Sequence, residues 1–457
     1  MVLVAIRSQI RNFIFLSLLA FQIIPTFAET SDLPTQAEAA LAKAVNYLGT
    51  HVATNGGYLW WYSPDLTERA GEGKASETQI WVQPPGTPSV GFAYLRAYEK
   101  TKDLRYLEAA KKAADALIWG QLKCGGWDYK IDFDPKNSKR WYYRHDTEAG
   151  IDNTKKRNRG TFDDNTTQSA LRFIMAVDHA QDSDEKYHEA VKYGLAFMLK
   201  SQFENGAWPQ RYPLASKGYS RWYTFNDNAI NDCIQVMLDA YHIYGETEYL
   251  DSAKRGGDFI IASQIPTPQA GWAQQYDYDM KPAWARKFEP SSVCPAVTAR
   301  NIRTLIDLYL VTDNEKYLQP IPAAVDWLKQ SQIAENLWAR FYELETNRPL
   351  YFNTKYELVY TDDDLPTHYS FKGSYGKSAM SHYERVKSMG REKYLSYRDG
   401  PESRDSRQSR LKSLQPRVEK IIATQDVEGR WISNERIEMR TFIKNMQTLS
   451  DYLALIR

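Results

Sequence analysis

An internal repeat constrains this chain more than any other feature. A Thr- or Ser-led acidic stretch, then a Tyr, then a Trp recur in the same order four times. The pairs are Tyr106 and Trp127, Tyr187 and Trp208, Tyr249 and Trp272, and Tyr317 and Trp338, spaced by 21, 21, 23 and 21 residues. A second apolar series precedes the later units. Ala170, Phe173, Ile174 and Val177 lie three or four apart, as do Ile230, Cys233, Ile234, Met237, Leu238 and Tyr241, and Ile302, Leu305, Ile306 and Tyr309. These are helical spacings, and Thr, Asp and Glu stand where the second helix of each pair should start. Units 62–81 residues long read as helical hairpins set side by side. Residues 37–58 read as an opening unit. Residues 411–431 read as a closing one, followed by a last helix over 441–456. The expected fold is all-α, an α/α toroid. An open superhelix of tetratricopeptide type is the alternative, although its repeats are shorter and more regular.

Residues 1–28 read as a secretory leader. Arg7 and Arg11 precede an apolar run from Phe13 to Ile24, and Thr26 to Ala28 form a small-residue cleavage site. The mature chain, 29–457, then carries 56 basic against 57 acidic side chains. That balance excludes a generally basic nucleic-acid-coating protein. No later apolar run is long enough for a membrane span, so a periplasmic or secreted protein, monomeric, is expected. Cys124, Cys233 and Cys294 lack metal-site spacing and read as buried free thiols. With 13 Trp and 31 Tyr against 17 Phe, the aromatic usage suits both core packing and sugar stacking.

Links within hairpins are short; those between hairpins are long, covering 120–165, 202–226, 264–296 and 332 onward. In an up-down array the long links share one mouth, where loops can carry function. They end in polar clusters: Asp163, Asp164 and Asn165; Arg221, Trp222, Tyr223, Asp227 and Asn228; Tyr276, Arg286, Lys287 and Glu289. Asp163, Asp164 and Asp227 fit three readings. They could be helix N-caps, a hard-oxygen site suited to Ca²⁺, or an acid–base pair for glycoside hydrolysis. Arg221, Arg286 and Lys287 beside such acids suit an acidic substrate. No EF-hand, Walker A, GxSxG or HExxH pattern is present.

From Gly57 to Phe352 the chain resembles the family-ten pectate lyases. The resemblance is carried by Ile80–Pro88, Gly125–Asp128, Phe162–Gln168, Asn205–Pro209, Phe225–Ala229, Pro282–Pro290 and Trp338–Tyr342. It implies an exported α/α-toroid enzyme that cleaves polygalacturonate by Ca²⁺-assisted β-elimination. Matching its Ala-Arg-x-x-Glu-Pro segment gives the base role to Arg286. The calcium- and substrate-binding acids fall on Asp164 and Asp227, with Asp163 adjacent, and Arg340 becomes a carboxylate clamp. The expected substrate contacts are Asn165, Arg221, Trp222, Tyr223, Asn228, Tyr276, Lys287, Glu289 and Arg340. An Arg base must lose a proton that free guanidinium holds to above about pH 12. Desolvation and a neighbouring cation such as Lys287 would ease that loss.

The segment 353–410 departs from this pattern. It reads as polar and loop-rich, with Lys355, Lys372 and Lys377 as candidate basic contacts. Two other functions stay open on the residues alone. One is a toroidal glycoside hydrolase pairing Asp163 or Asp164 with Asp227 or Glu289; the other is a non-catalytic sugar-binding scaffold.

Overall fold

The computed structural model describes residues 32–152, 154–181 and 185–457. The expected leader lies outside them. Fourteen helices appear among the described residues: α1 Leu33–Tyr47, α2 Thr87–Thr101, α3 Leu104–Trp119, α4 Arg144–Glu148, α5 Thr166–Ala180, α6 Glu185–Ser201, α7 Ala229–Tyr244, α8 Thr247–Ala262, α9 Pro295–Thr312, α10 Ile321–Gln330, α11 Lys377–Met389, α12 Arg391–Asp399, α13 Arg404–Ala423 and α14 Met439–Ile456. The hairpins predicted from the apolar spacing are α5–α6, α7–α8 and α9–α10, and α2–α3 adds another. The first helix of each is inner. Ala170, Phe173, Ile174 and Val177 are fully buried, as are Ile302, Leu305 and Ile306. The inner series runs α2, α5, α7, α9 and α11, each packed on the next.

The ring is closed by the chain's two ends. Helix α14 packs on α1 and α2, and α13 packs on α14 and α1. The fold is therefore an α/α toroid, in which the C-terminal pair sits beside the first helix as one more hairpin.

The Trp of each unit fixes the joint. Trp127, Trp208, Trp272 and Trp338 are fully buried, and each indole N–H donates to a carbonyl near the end of the preceding helix. The acceptors are Leu117 (2.7 Å), Met198 (3.0 Å), Ile260 (2.7 Å) and Leu328 (2.7 Å). Trp431 repeats the bond, to Ile421 at 2.9 Å. These Trp residues pin loops to helix ends and offer no face to a sugar. A Gln six to eight residues earlier ties one unit to the next. Gln121 Nε2 donates to Ala190 O, Gln202 Nε2 to Ser252 O, and Gln264 Nε2 to Pro320 O. Gln425 Nε2 makes the same bond across the ends of the chain, to Ala40 O at 2.9 Å. The turn behind it needs glycine. Gly429 has φ +95°, and a Cβ there would sit 2.7 Å from the Lys43 carbonyl carbon.

The long links pair into two- to four-residue antiparallel strands. Gly160–Thr161 pairs with Arg211–Tyr212, and Tyr223–Thr224 with Gln275–Tyr276. Cys233 and Cys294 are buried free thiols, and Cys124 is a half-buried one.

The expectation for 353–410 needs correction. Its second half is helical, in α11, α12 and the start of α13. Lys, Arg and Glu are good helix formers, and α11 buries only a narrow stripe, Ala379, Tyr383 and Val386. Too thin for the apolar spacing to register, that stripe still packs on α9.

Removing the ring-closing amide tests the joint. Gln425→Ala should lower unfolding stability by about 1–3 kcal/mol, because it leaves buried carbonyls without a donor. Gln202→Ala, inside the array, should cost a similar amount in urea titrations. A neutral Gln425→Ala beside a costly Gln202→Ala would show that the ends are not joined as the internal units are.

Candidate active site

Two loops of the same geometry carry the acids. Phe162 and Phe225 are buried, and each is followed by a short turn into the next inner helix. Asp164 and Asn165 have φ +50° and +56°, and Asp227 and Asn228 have +49° and +60°. Asp and Asn tolerate the left-handed region better than other non-glycine residues. Two such residues in succession still cost on the order of 1–3 kcal/mol each, a strain that concentrates at functional sites. The left-handed pair turns Asp164 and Asp227 away from capping: neither turn has a side-chain cap bond. Simple N-capping is thus excluded for these two residues.

The three acids converge. One carboxylate oxygen from each of Asp163, Asp164 and Asp227 lies within 4.8 Å of the others. Tyr129 donates to Asp163 Oδ2 at 2.6 Å, Gln83 Nε2 to Asp164 Oδ2 at 2.8 Å, and Asn226 Nδ2 to Asp227 Oδ2 at 2.8 Å. The Gln83 carboxamide is itself held by the Trp81 indole at 3.0 Å. Asp163 Oδ1 and Asn165 Oδ1 are buried without a partner. Unpartnered buried oxygens are uncommon and call for a ligand. Burial, then the charge of Asp163, pushes Asp164 up to about 6 and Asp227 up to about 8. Hard oxygen donors that repel one another without a cation suit Ca²⁺.

Cationic groups surround the acids. Arg286 is clamped by Glu289, with Nε to Oε2 at 2.8 Å and Nη2 to Oε1 at 2.5 Å. Glu289 is fully buried, whereas the Arg286 side chain is 42% exposed. The Glu289 hydrogen bonds raise Arg286 further above its ordinary value. Arg340 lies 4.2 Å over the Tyr369 ring, and its Nε is buried without a partner. Arg211 donates to the Tyr129 hydroxyl at 3.2 Å.

Several expected contacts fall elsewhere. Tyr276 is buried, its hydroxyl accepting from Ala273 N at 2.8 Å. Tyr223 is buried against Phe203, Phe259 and Tyr278. Both are core residues, because strand Tyr223–Thr224 pairs with Gln275–Tyr276 and their rings turn into the packed interior. Glu289 is a partner of Arg286 and has no surface for a substrate. Arg221 is held by Ser216 O at 2.6 Å and by Tyr278. Trp222 is half-buried and Asn228 exposed. Lys287 does not face Arg286; its Nζ rests 3.4 Å over the Tyr356 ring, so it gives no local help in lowering the Arg286 pKa. Lys372 is neutralised by Asp362 at 2.5 Å. Lys355 and Lys377 are exposed.

Gln83, Tyr129, Arg211 and Tyr369 were missed. Tyr129 stands two residues after Trp127, as Arg340 stands two after Trp338, so the repeat register held a signal for it. Tyr369 had none, because its place beside Arg340 depends on Lys372–Gly373 pairing with Trp338–Ala339.

Residues 134–336 match the family model described as pectic acid lyase. The match bears out the resemblance read from the motifs and supports a polysaccharide lyase. Ile80–Pro88, Gly125–Asp128 and Trp338–Tyr342 lie outside the matched residues. No curated protein matches the sequence. Among solved structures, a family 10 polysaccharide lyase from Cellvibrio cellulosa is 22% identical. It covers 65% of this chain and 97% of that one, with a TM-score of 0.49. A point mutant of that lyase, in complex with trigalacturonic acid, is 23% identical over 65% and 98%, also at 0.49. A family 76 α-mannanase from Bacteroides thetaiotaomicron is 11% identical over 94% and 96%, at 0.44. At these scores the backbones differ too much for the likeness to decide fold or chemistry.

The raised carboxyls set a pH dependence. Between about 4, the unfolded value, and about 8, folded Asp227 holds a proton that the unfolded chain has released. Stability of the metal-free protein from this group is therefore greatest below pH 4 and falls as pH rises to 8. Cation binding must expel that proton, so calcium affinity should rise with pH, by up to about tenfold per unit for each proton expelled. Calorimetric calcium titrations at pH 6 and pH 8.5 would check this, and Asp227→Asn should weaken binding at both.

Proposed function

We propose that the protein is an exported pectate lyase that cleaves polygalacturonate by calcium-assisted β-elimination. The observation that carries the proposal is the convergence of three carboxylates, one with a free buried oxygen, with two guanidinium groups at the same mouth. Asp163, Asp164 and Asp227 would hold the cation. When bound, calcium would neutralise the uronate carboxylate and so acidify the C5 proton. Arg340, stacked on Tyr369 and lacking a carboxylate partner among the described residues, is suited to bind a sugar carboxylate. In this reading Arg286 takes the C5 proton. The C5–H electron pair becomes the C4–C5 double bond, the C4–O bond breaks, and the leaving oxygen is protonated from solvent. Negative charge builds on the uronate carboxylate, where fixed cations stabilise it.

A glycoside hydrolase needs two carboxyl groups about 5 Å or more apart, with a sugar between them. Oxygens that gather within 4.8 Å around one point fit a cation better. Incubation with polygalacturonate and Ca²⁺ should produce ultraviolet absorbance from the new double bond, and chelation should remove it. Reducing sugar released without that absorbance would favour hydrolysis instead.

One observation favours a second role for Arg286. The Glu289 pair holds its proton more firmly, so to act as a base it must leave Glu289 when substrate binds. If it stays paired, it stabilises charge only. Arg286→Ala should reduce kcat about 10²–10⁴-fold in the base reading. Arg286→Lys distinguishes the two roles. A lysine base, with an ordinary value near 10.4, should retain turnover and move the alkaline rise of kcat to lower pH. An unchanged profile would leave Arg286 an electrostatic role.

A further inference from the structure

Three aromatic rings stand side by side on the flank of the site. Tyr369 and Phe288 have ring centroids 4.8 Å apart, and Phe288 and Tyr356 are 5.5 Å apart. Each carries a cation on its face: Arg340 on Tyr369 at 4.2 Å, Arg286 on Phe288 at 5.1 Å, and Lys287 on Tyr356 at 3.4 Å. The series begins near the acids: the Tyr369 hydroxyl donates to Glu289 at 3.3 Å, and Asn226 Nδ2 donates to both Glu289 at 3.4 Å and Asp227 at 2.8 Å. It ends at Lys287, which is exposed. The outermost pair differs from two surface cations nearby. Lys372 is tied to Asp362 and Arg348 to Glu343. Among the described residues Lys287 has no carboxylate within ion-pairing distance, and its ammonium is positioned by a ring alone.

That ring is held at some cost. Tyr356 has φ +64°, an outlier for a bulky side chain. Asn353 builds the turn that imposes it. Its side-chain oxygen accepts from Lys355 N at 3.0 Å and Glu357 N at 2.9 Å, and its carbonyl accepts from Tyr356 N at 2.8 Å. The Tyr356 hydroxyl and His368 Nε2 are 3.0 Å apart, which fixes the far end of the ring. A turn whose only purpose was to reverse the chain would place Gly or Asn at that position.

We infer that Lys287 on Tyr356 forms an outlying carboxylate-binding subsite, which makes the enzyme favour long polyuronate chains over short ones. The inference rests on the polyuronate reading above. A polyuronate presents a carboxylate on every sugar, so an exposed, unpaired Lys287 on the flank of the site offers a partner to a sugar beyond those held at Arg340 and the acids. The ring holds the Lys287 ammonium in place before binding, which reduces the side-chain ordering needed when the polymer arrives. The segment 353–369, whose sequence showed no motif, thereby acquires a function.

Rates on polygalacturonate and on trigalacturonate would be measured by ultraviolet absorbance for wild type, Lys287→Gln and Tyr356→Gly. Tyr356→Gly removes the ring and relieves the left-handed backbone, which offsets part of the packing lost against Phe288 and His368, and Lys287→Gln leaves that packing intact. Both variants should lower the polymer-to-trimer ratio of kcat/KM by about tenfold. Added salt should lower the wild-type ratio toward theirs. An unchanged ratio in both variants overturns the subsite. Retardation of the same proteins in a gel containing polygalacturonate measures polymer binding without turnover. If the wild type turns over neither substrate, the lyase reading fails. Weaker retardation of both variants than of wild type would then still support the subsite, and equal retardation would reject it.

Discussion

The indole N–H of a buried Trp, donating to a carbonyl at the end of the helix before it, is the bond on which the structure depends. It recurs from Trp127 to Trp431. The last turn of a helix leaves carbonyls without intrahelical donors, and a buried carbonyl must find one. The Trp satisfies it and at the same time fixes where the long link begins. The neighbouring Gln then binds the backbone of the next unit. Because the two bonds are only a few residues apart, each link leaves its helix in the same direction. The links consequently reach one mouth, and Gln425 with Ala40 extends the same rule across the chain ends.

On that frame the site is an electrostatic arrangement that would be unfavourable by itself. Asp163, Asp164 and Asp227 are partly buried with their oxygens facing one another. Repulsion and lost hydration raise two of them toward protonation. Left-handed backbone at Asp164 and Asp227 adds strain. Strain, repulsion and an unpartnered oxygen at one place all favour a bound cation. Arg286 and Arg340 lower the Asp227 value in part, without donating to its carboxylate. They remain open to an anionic ligand, Arg340 more than Arg286, which Glu289 already engages.

The two families of contact are separated by depth. Below the mouth, aromatic residues such as Tyr223 and Tyr276 serve packing, and their hydroxyls or rings are consumed by neighbours. Above it, Tyr356 and Tyr369 present faces to cations. The same residue type thus does two jobs, and burial by the strand pairs in the links decides which.

By itself the sequence determined the hairpins, because apolar residues three or four apart can bury only as helices. It also determined the unit length, through the Tyr and Trp spacing, and the carboxylates of the site, because Phe162 and Phe225 open the same turn. Tertiary structure alone decided which polar residues face the mouth. Tyr276 went inward and Tyr369 outward through strand pairings of two residues, too short to leave a periodic trace. The Glu289 clamp on Arg286 was equally hidden: the spacing allowed a pair, but only burial of Glu289 makes it strong. The charge state of Asp227 depends on Asp163 and Asp164, which the chain brings beside it from about sixty residues away. Local pattern fixes what a segment becomes, whereas the pKa of a carboxyl depends on every charge and every water displaced around it.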